Sequence, residues 1–156
     1  MVNITDDYLF CEPLLTAHLR ERIPELACVG SVAGLEQLAA GNIPAPSAWV
    51  FYLGDQISGT TAAVGGVQNR QQFVTQLWAV VVAVYFADGP GRGGDIAGQA
   101  GPLLAKVLGA FKGWQPAADI PRIRRSTQQL PAQYEDGYGF YPLVYQIQIP
   151  ASLGGY

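Results

Sequence analysis

Apolar positions recur at helical spacing near both ends of the chain's first two-thirds. Cys11, Leu15, Leu19, Ile23 and Leu26 form one stripe, with Arg20, Glu21 and Glu25 off it, which predicts an amphipathic first helix. Pro13 suits its first turn, where a missing N–H costs nothing, and Pro24 marks its end. Ile96, Ala100, Leu103, Leu104, Val107, Leu108 and Phe111 repeat the pattern and predict a second helix. Pro102 inside it means either a kink or a fresh start at Gly101 and Pro102. Between the helices, Ala27 to Val32 suits a short strand, Leu35 to Ala40 one or two helical turns closed by Gly41, and Asn42 to Ser47 a proline-punctuated loop.

Trp49 to Leu53 reads as a strand, and Gln68 to Ala87 as a second, very long β-prone stretch. Extended at about 3.3 Å per residue, that stretch would reach roughly 65 Å, more than a domain of this size is wide. It must bend or project, so a hairpin arm over about residues 54–72 is expected. Its first half sets Val67, Phe73 and Leu77 on one face and Gln68, Arg70, Gln72 and Gln76 on the other, as in a sheet with one wet face. From Trp78 onward both faces are apolar, which implies cover by a helix on one side and by a second subunit on the other. The linker Gly54 to Gly66, rich in Gly, Thr, Ser and Ala, is expected to be mobile in a free monomer. After Gly113 a polar strand near Ile123 to Gln128 precedes a last strand, Phe140 to Ile149. There Tyr141, Leu143, Tyr145, Ile147 and Ile149 make one apolar face. The order of elements predicts an α+β fold: a largely antiparallel sheet with two main helices packed on one side, plus the projecting arm. Residues 1–156 are expected to form a single domain.

Composition sharpens this picture. Apolar residues make up 49% of the chain and charged residues only 13%, against about 25% in an average soluble domain. Charge depletion characterises the cores of protein interfaces, so the deficit points to surface covered by neighbouring subunits. A net charge of −3 argues against a protein that holds nucleic acid by its phosphates. The start of the chain carries Asp6 and Asp7 and no basic residue before Arg20, and the longest apolar run, Leu77 to Ala87, is too short to cross a membrane. A soluble protein made in a cytoplasm is expected, with Cys11 and Cys28 reduced.

Chemistry-bearing motifs are sparse. His18 is the only histidine, and no CxxC, HExxH, GxSxG or Walker A pattern occurs, so no catalytic, cofactor or metal site is expected. His18 is expected to be an exposed helix residue. Asp6 with Asp7 and Glu135 with Asp136 read as solvated turn charges, because adjacent side chains point apart. Gly89, Gly91 and Gly94 spell GxGxxG between a strand and a helix, but the region that follows carries Arg122, Arg124 and Arg125 where a dinucleotide fold needs an acid. These three arginines suit contact with an acidic protein neighbour at least as well as nucleic acid.

One family pattern spans nearly the whole chain. Leu19, Arg20, Ile23, Pro24, Leu26, Val29, Gly30 and Gly34 resemble the opening of the phage tail terminator family; Pro44, Ala48, Trp49, Val50 and Leu53 resemble its proline-led second strand. Gln71, Phe73 and Val74 open the long strand, Asp95 through Phe111 stands at the family's amphipathic helix, and Gly113, Trp114, Gln115 and Pro116 resemble the ending of that helix. Pro102 and the tail Ala151 to Tyr156 depart from the pattern. The resemblance implies a structural virion protein, not an enzyme. Such a protein forms a ring, usually hexameric, on the head-proximal end of the tail tube, ends tube growth and seats the head connector, while DNA passes through the lumen without specific binding. Arg70, Gln72, Trp78, Arg122, Arg124 and Arg125 are the expected subunit or tube contacts. The alternatives are another head–tail joining or tail completion protein, or a small ligand-binding α+β protein with a polar pocket near His18 or the glycine corner.

Overall fold

The structure, a computed structural model, describes residues 7–31, 42–59, 72–86 and 93–149. The first helix, α1, spans Cys11–Arg22, and the second, α2, spans Gly93–Phe111. Among the described residues six strands form one sheet: β1 (Cys28–Ser31), β2 (Ser47–Gly59), β3 (Gln72–Tyr85), β4 (Arg124–Arg125), β5 (Gln133–Glu135) and β6 (Tyr138–Ile149). Their order is β1-β2-β3-β6-β4, with β5 also on β6. β1 pairs with β2 in parallel and every other pairing is antiparallel, so the fold is the expected α+β arrangement with one parallel edge.

Both helices cover one face of the sheet. Leu15, Leu19 and Ile23 of the first stripe and Ala100, Leu103, Val107 and Phe111 of the second bury against Val50, Trp78, Val80, Val82, Leu143, Tyr145 and Ile147. α2 runs unbroken through Pro102. The carbonyl that loses its partner to a proline lies four residues earlier, at Gly98, which is exposed with open space around it, so water can serve that carbonyl. Gly113, at φ +70°, closes the helix in the left-handed conformation that favours glycine.

β2 is much longer than the composition of its start suggests. Leu53 bulges out between the pairs Tyr52–Trp78 and Gly54–Leu77, after which the ladder continues to Gly59–Gln72. Residues Gly54–Gly59 are therefore strand, which corrects the expected mobile linker over that part; pairing to β3 supplies the order that the Gly- and Ser-rich sequence lacks. The remainder of the linker, the tip of the expected arm, Arg70 and the helical turn at Leu35 to Ala40 lie outside the described residues.

Gln76 corrects a second expectation. It faces the helices and is fully buried, not wet. Its Nε2 donates to the Tyr8 carbonyl at 2.8 Å and its Oε1 accepts from the Trp78 indole at 3.1 Å, so the segment before α1 satisfies its amide within the core. Tyr8 also bonds Asp55 through its hydroxyl, which ties the same segment to β2 beyond the bulge.

On its outer side β6 is finished by two short strands with a gap between them. In the gap, Gln129 stands in for a strand residue: its Oε1 accepts from the Val144 N–H at 3.1 Å, and its Nε2 donates to the Val144 carbonyl at 3.0 Å. Pro142, two residues away, has the same backbone orientation, so its missing N–H falls on this edge and leaves the β3 ladder complete.

Candidate interaction surface

Among the described residues, the sheet face away from the helices leaves apolar surface open. Trp49 and Phe51 of β2, Ala79 and Val81 of β3, and Phe140 and Pro142 of β6 share this face through the register pairs Trp49–Val81, Phe51–Ala79 and Val81–Pro142. Leu130 and Pro131 lie along one side, and together these residues enclose an open groove of roughly 360 Å³. The bulge turns Leu53 to its rim at 42% exposure, and Leu130 is 48% exposed. Trp49 forms the floor. Its Nε1 donates to the buried Ser47 hydroxyl at 2.8 Å, and its ring packs on Gly30 of β1.

Charged groups flank the groove along β6. At one end Arg122 and Arg124 border a polar depression with Thr75, Gln146 and Gln148. Arg125 pairs in register with Tyr145, so it points to the helix side instead. All three arginines are exposed. At the other end Glu135 closes β5, and Asp136 (φ 51°) and Gly137 (φ 82°) make a tight left-handed turn into β6. Glu135 lines the groove's rim. The Asp-Gly pair before an alternating strand is a hairpin signal that the sequence carries in plain view.

Trp78, expected at an interface, has no exposed surface: its indole sits in the helix-side core beside Tyr52 and Tyr145. It has nothing to present to a partner, because Trp78, like Val80 and Val82, faces the helices. Gln72 opens β3 opposite Gly59. His18 is half-buried, not exposed as expected: it stacks on Trp114 with ring centroids 4.3 Å apart, and its Nε2 meets the Ala110 carbonyl at 2.6 Å. In the tautomer that donates there, it caps the C-terminal end of α2, a docking role between helices. Of the glycine corner, Gly94 lies in the first turn of α2, while Gly89 and Gly91 lie outside the described residues.

Cys11 and Cys28 are free thiols. Burial pushes the Cys11 thiol up to about 12, with the Asp7 charge adding to the effect. Tyr145 is buried with its hydroxyl unpartnered among the described residues. Burial pushes that hydroxyl up to about 12 against the opposing field of Arg125. No helix among the described residues is long and apolar enough to cross a membrane.

The sequence profile of one family, described as phage tail terminator protein, matches residues 5–152. No curated protein matches the chain.

Proposed function

The chain belongs to the phage tail terminator family and is a structural protein of the phage tail, and from that premise we propose that it forms a homo-oligomeric ring, hexameric by its family likeness, on the head-proximal end of the tail tube. The observation that carries this reading is the apolar groove on the sheet face that the described residues leave open. It is open and flanked by charge, the anatomy of a protein contact with an apolar centre and a polar rim. A small-ligand site would instead converge several polar groups on an enclosed pocket.

A tube of stacked rings grows because each ring's top repeats the surface that the next ring needs, and such head-to-tail growth does not close by itself. A ring that matches the tube below and presents a different surface above ends growth and offers the head connector a seat. No bond need form or break, so no enzymatic role is assigned. Residues 1–156 act as one domain, and the expected hairpin arm over about residues 54–72, with Arg70 and Gln72 as contact residues, reaches an adjacent subunit or ring. DNA passes through the lumen without specific binding, and assembly takes place in the host cytoplasm.

Imaging of the protein mixed with tail tubes, with mass measurement over a concentration series, tests the reading. A closed ring at one tube end is expected. Single copies bound at the tail, or indifference to tube ends, overturn it.

A further inference from the structure

The outer edge of β6 carries opposite charge at its two ends. Arg122, Arg124 and Arg125, three of the nine cationic residues in the chain, lie where β4 meets Gln146 and Tyr145, Arg124 toward the open face and Arg125 toward the helix side of the same short strand. Glu135 and Asp136 sit where β5 turns back onto Tyr138. All five are exposed, and among the described residues none of them forms an ion pair; the ion pair there joins Lys106 to Glu25 across the helix side. Asp119, in the turn before the arginines, is also exposed and does not pair with them.

The two ends cannot neutralise each other within one chain. From Tyr138 to Gln146 is eight residues of extended strand, about 27 Å at 3.4 Å per residue. That exceeds the screening length of about 8 Å at physiological salt several times over, and is a large part of the width of a domain of this length. Backbone pairing does not account for the edge either. β4 and β5 already occupy its ends, and between them Gln129 and Pro142 leave little ladder to extend. What remains is a pair of complementary side-chain patches at the two ends of one strand edge, which a heterologous contact repeating from copy to copy, closing when the rotation allows, would bring together.

We propose that copies of this chain join head to tail through these patches, the Arg122, Arg124 and Arg125 end of one subunit against the Glu135 and Asp136 hairpin of the next. The proposal rests on the ring reading and names the contact that sets its subunit order. Guanidinium forks on carboxylates give such a contact geometric register as well as attraction, and repulsion between like ends excludes reversed subunits.

Two charge-reversal variants test it. One carries R122E, R124E and R125E; the other carries E135K and D136K. Each puts like charges at every junction, so each alone should self-associate roughly tenfold or more weakly, in solution and on tail tubes. Mixed in equal amounts, the two should recover rings in strict alternation. A chain carrying all five changes should form rings by itself and exclude the unaltered protein. Circular dichroism checks that the fold is retained, and E135K alone serves as the second variant if Asp136→Lys strains its left-handed turn position (φ 51°).

Variants that assemble like the unaltered protein, or that stay dissociated on mixing, overturn the pairing while leaving the ring reading intact. Arginine reversal that spares assembly and impairs only DNA passage also overturns it and assigns the arginines to the lumen. An unaltered protein that forms only closed pairs, with mixing still restorative, keeps the charge pairing and ends the ring reading.

Discussion

Replacing Gly30 by alanine tests how tightly the open face is packed at its β1 edge. Gly30 lies in register with Trp49, and a methyl group on its Cα would stand 2.6 Å from Cζ3 and 3.1 Å from Cε3 of the indole. Carbon atoms rest comfortably at about 3.5–4.0 Å, so the ring or the edge strand must move by about 1 Å. The indole cannot yield cheaply, since Trp49 is 2% exposed and its Nε1 is held by Ser47, itself fully buried. Overpacking of this kind costs about 1–3 kcal/mol. Against it stands a gain of about 0.4–1 kcal/mol, because alanine has fewer unfolded conformations to lose than glycine. The net expectation is a loss of about 1–2 kcal/mol, or a fall in Tm of about 2–8 °C for a chain of this length. Urea denaturation followed by far-ultraviolet circular dichroism, with a thermal melt in parallel, measures it. In the Trp49→Leu background the same substitution meets no ring and should be neutral or stabilising, giving a coupling of about 1 kcal/mol or more in a double-mutant cycle. The reasoning is refuted if Gly30→Ala is harmless in the unaltered protein, or if its cost persists unchanged beside Trp49→Leu.

Tyr145→Phe removes a buried hydroxyl that has no partner among the described residues and should stabilise the fold by about 1 kcal/mol; a loss of stability in the same melts would mean that the hydroxyl is bonded. Leu53→Asp with Leu130→Asp places charge on the rim of the groove at side chains that are 42% and 48% exposed, so the monomer should keep its fold while ring formation on tail tubes fails; normal rings in electron micrographs would remove the groove from the interface. Cys11, fully buried with its thiol raised to about 12, should resist a thiol reagent at pH 8 in the native protein and react only on unfolding. Because that pKa is raised, its contribution to stability is fully present below the unfolded thiol value of about 8.5 and is lost as pH rises toward 12. Equal labelling of folded and unfolded protein, or stability flat across that range, would contradict the burial of Cys11.

The sequence by itself determined the elements whose pattern is local. The helical stripes through Leu15 and Val107, and the alternation of Leu143, Tyr145 and Ile147, appear as buried faces of α1, α2 and β6 because a single period decides which side chains can leave water together. The family pattern was legible for the same reason, since it is carried by prolines, glycines and apolar residues that set turns and faces. What only the tertiary structure decided depends on residues far apart in the chain. Gln76 looks like a wet strand position until the Tyr8 carbonyl, 68 residues away, accepts its amide in the core. Gly54 to Gly59 has the composition of a loop, yet β3 orders it as strand. His18 lies on a polar-looking helix face until Trp114 and Ala110 cover it. Trp78 and Trp49 are alike as sequence, and the register of the sheet sends one to the helix side and the other to the open face. The arginine end and the acidic hairpin of β6 can be proposed as two halves of one contact only because the strand places them too far apart to meet within the chain. Burial, distance and cover are set by packing partners that local periodicity does not encode.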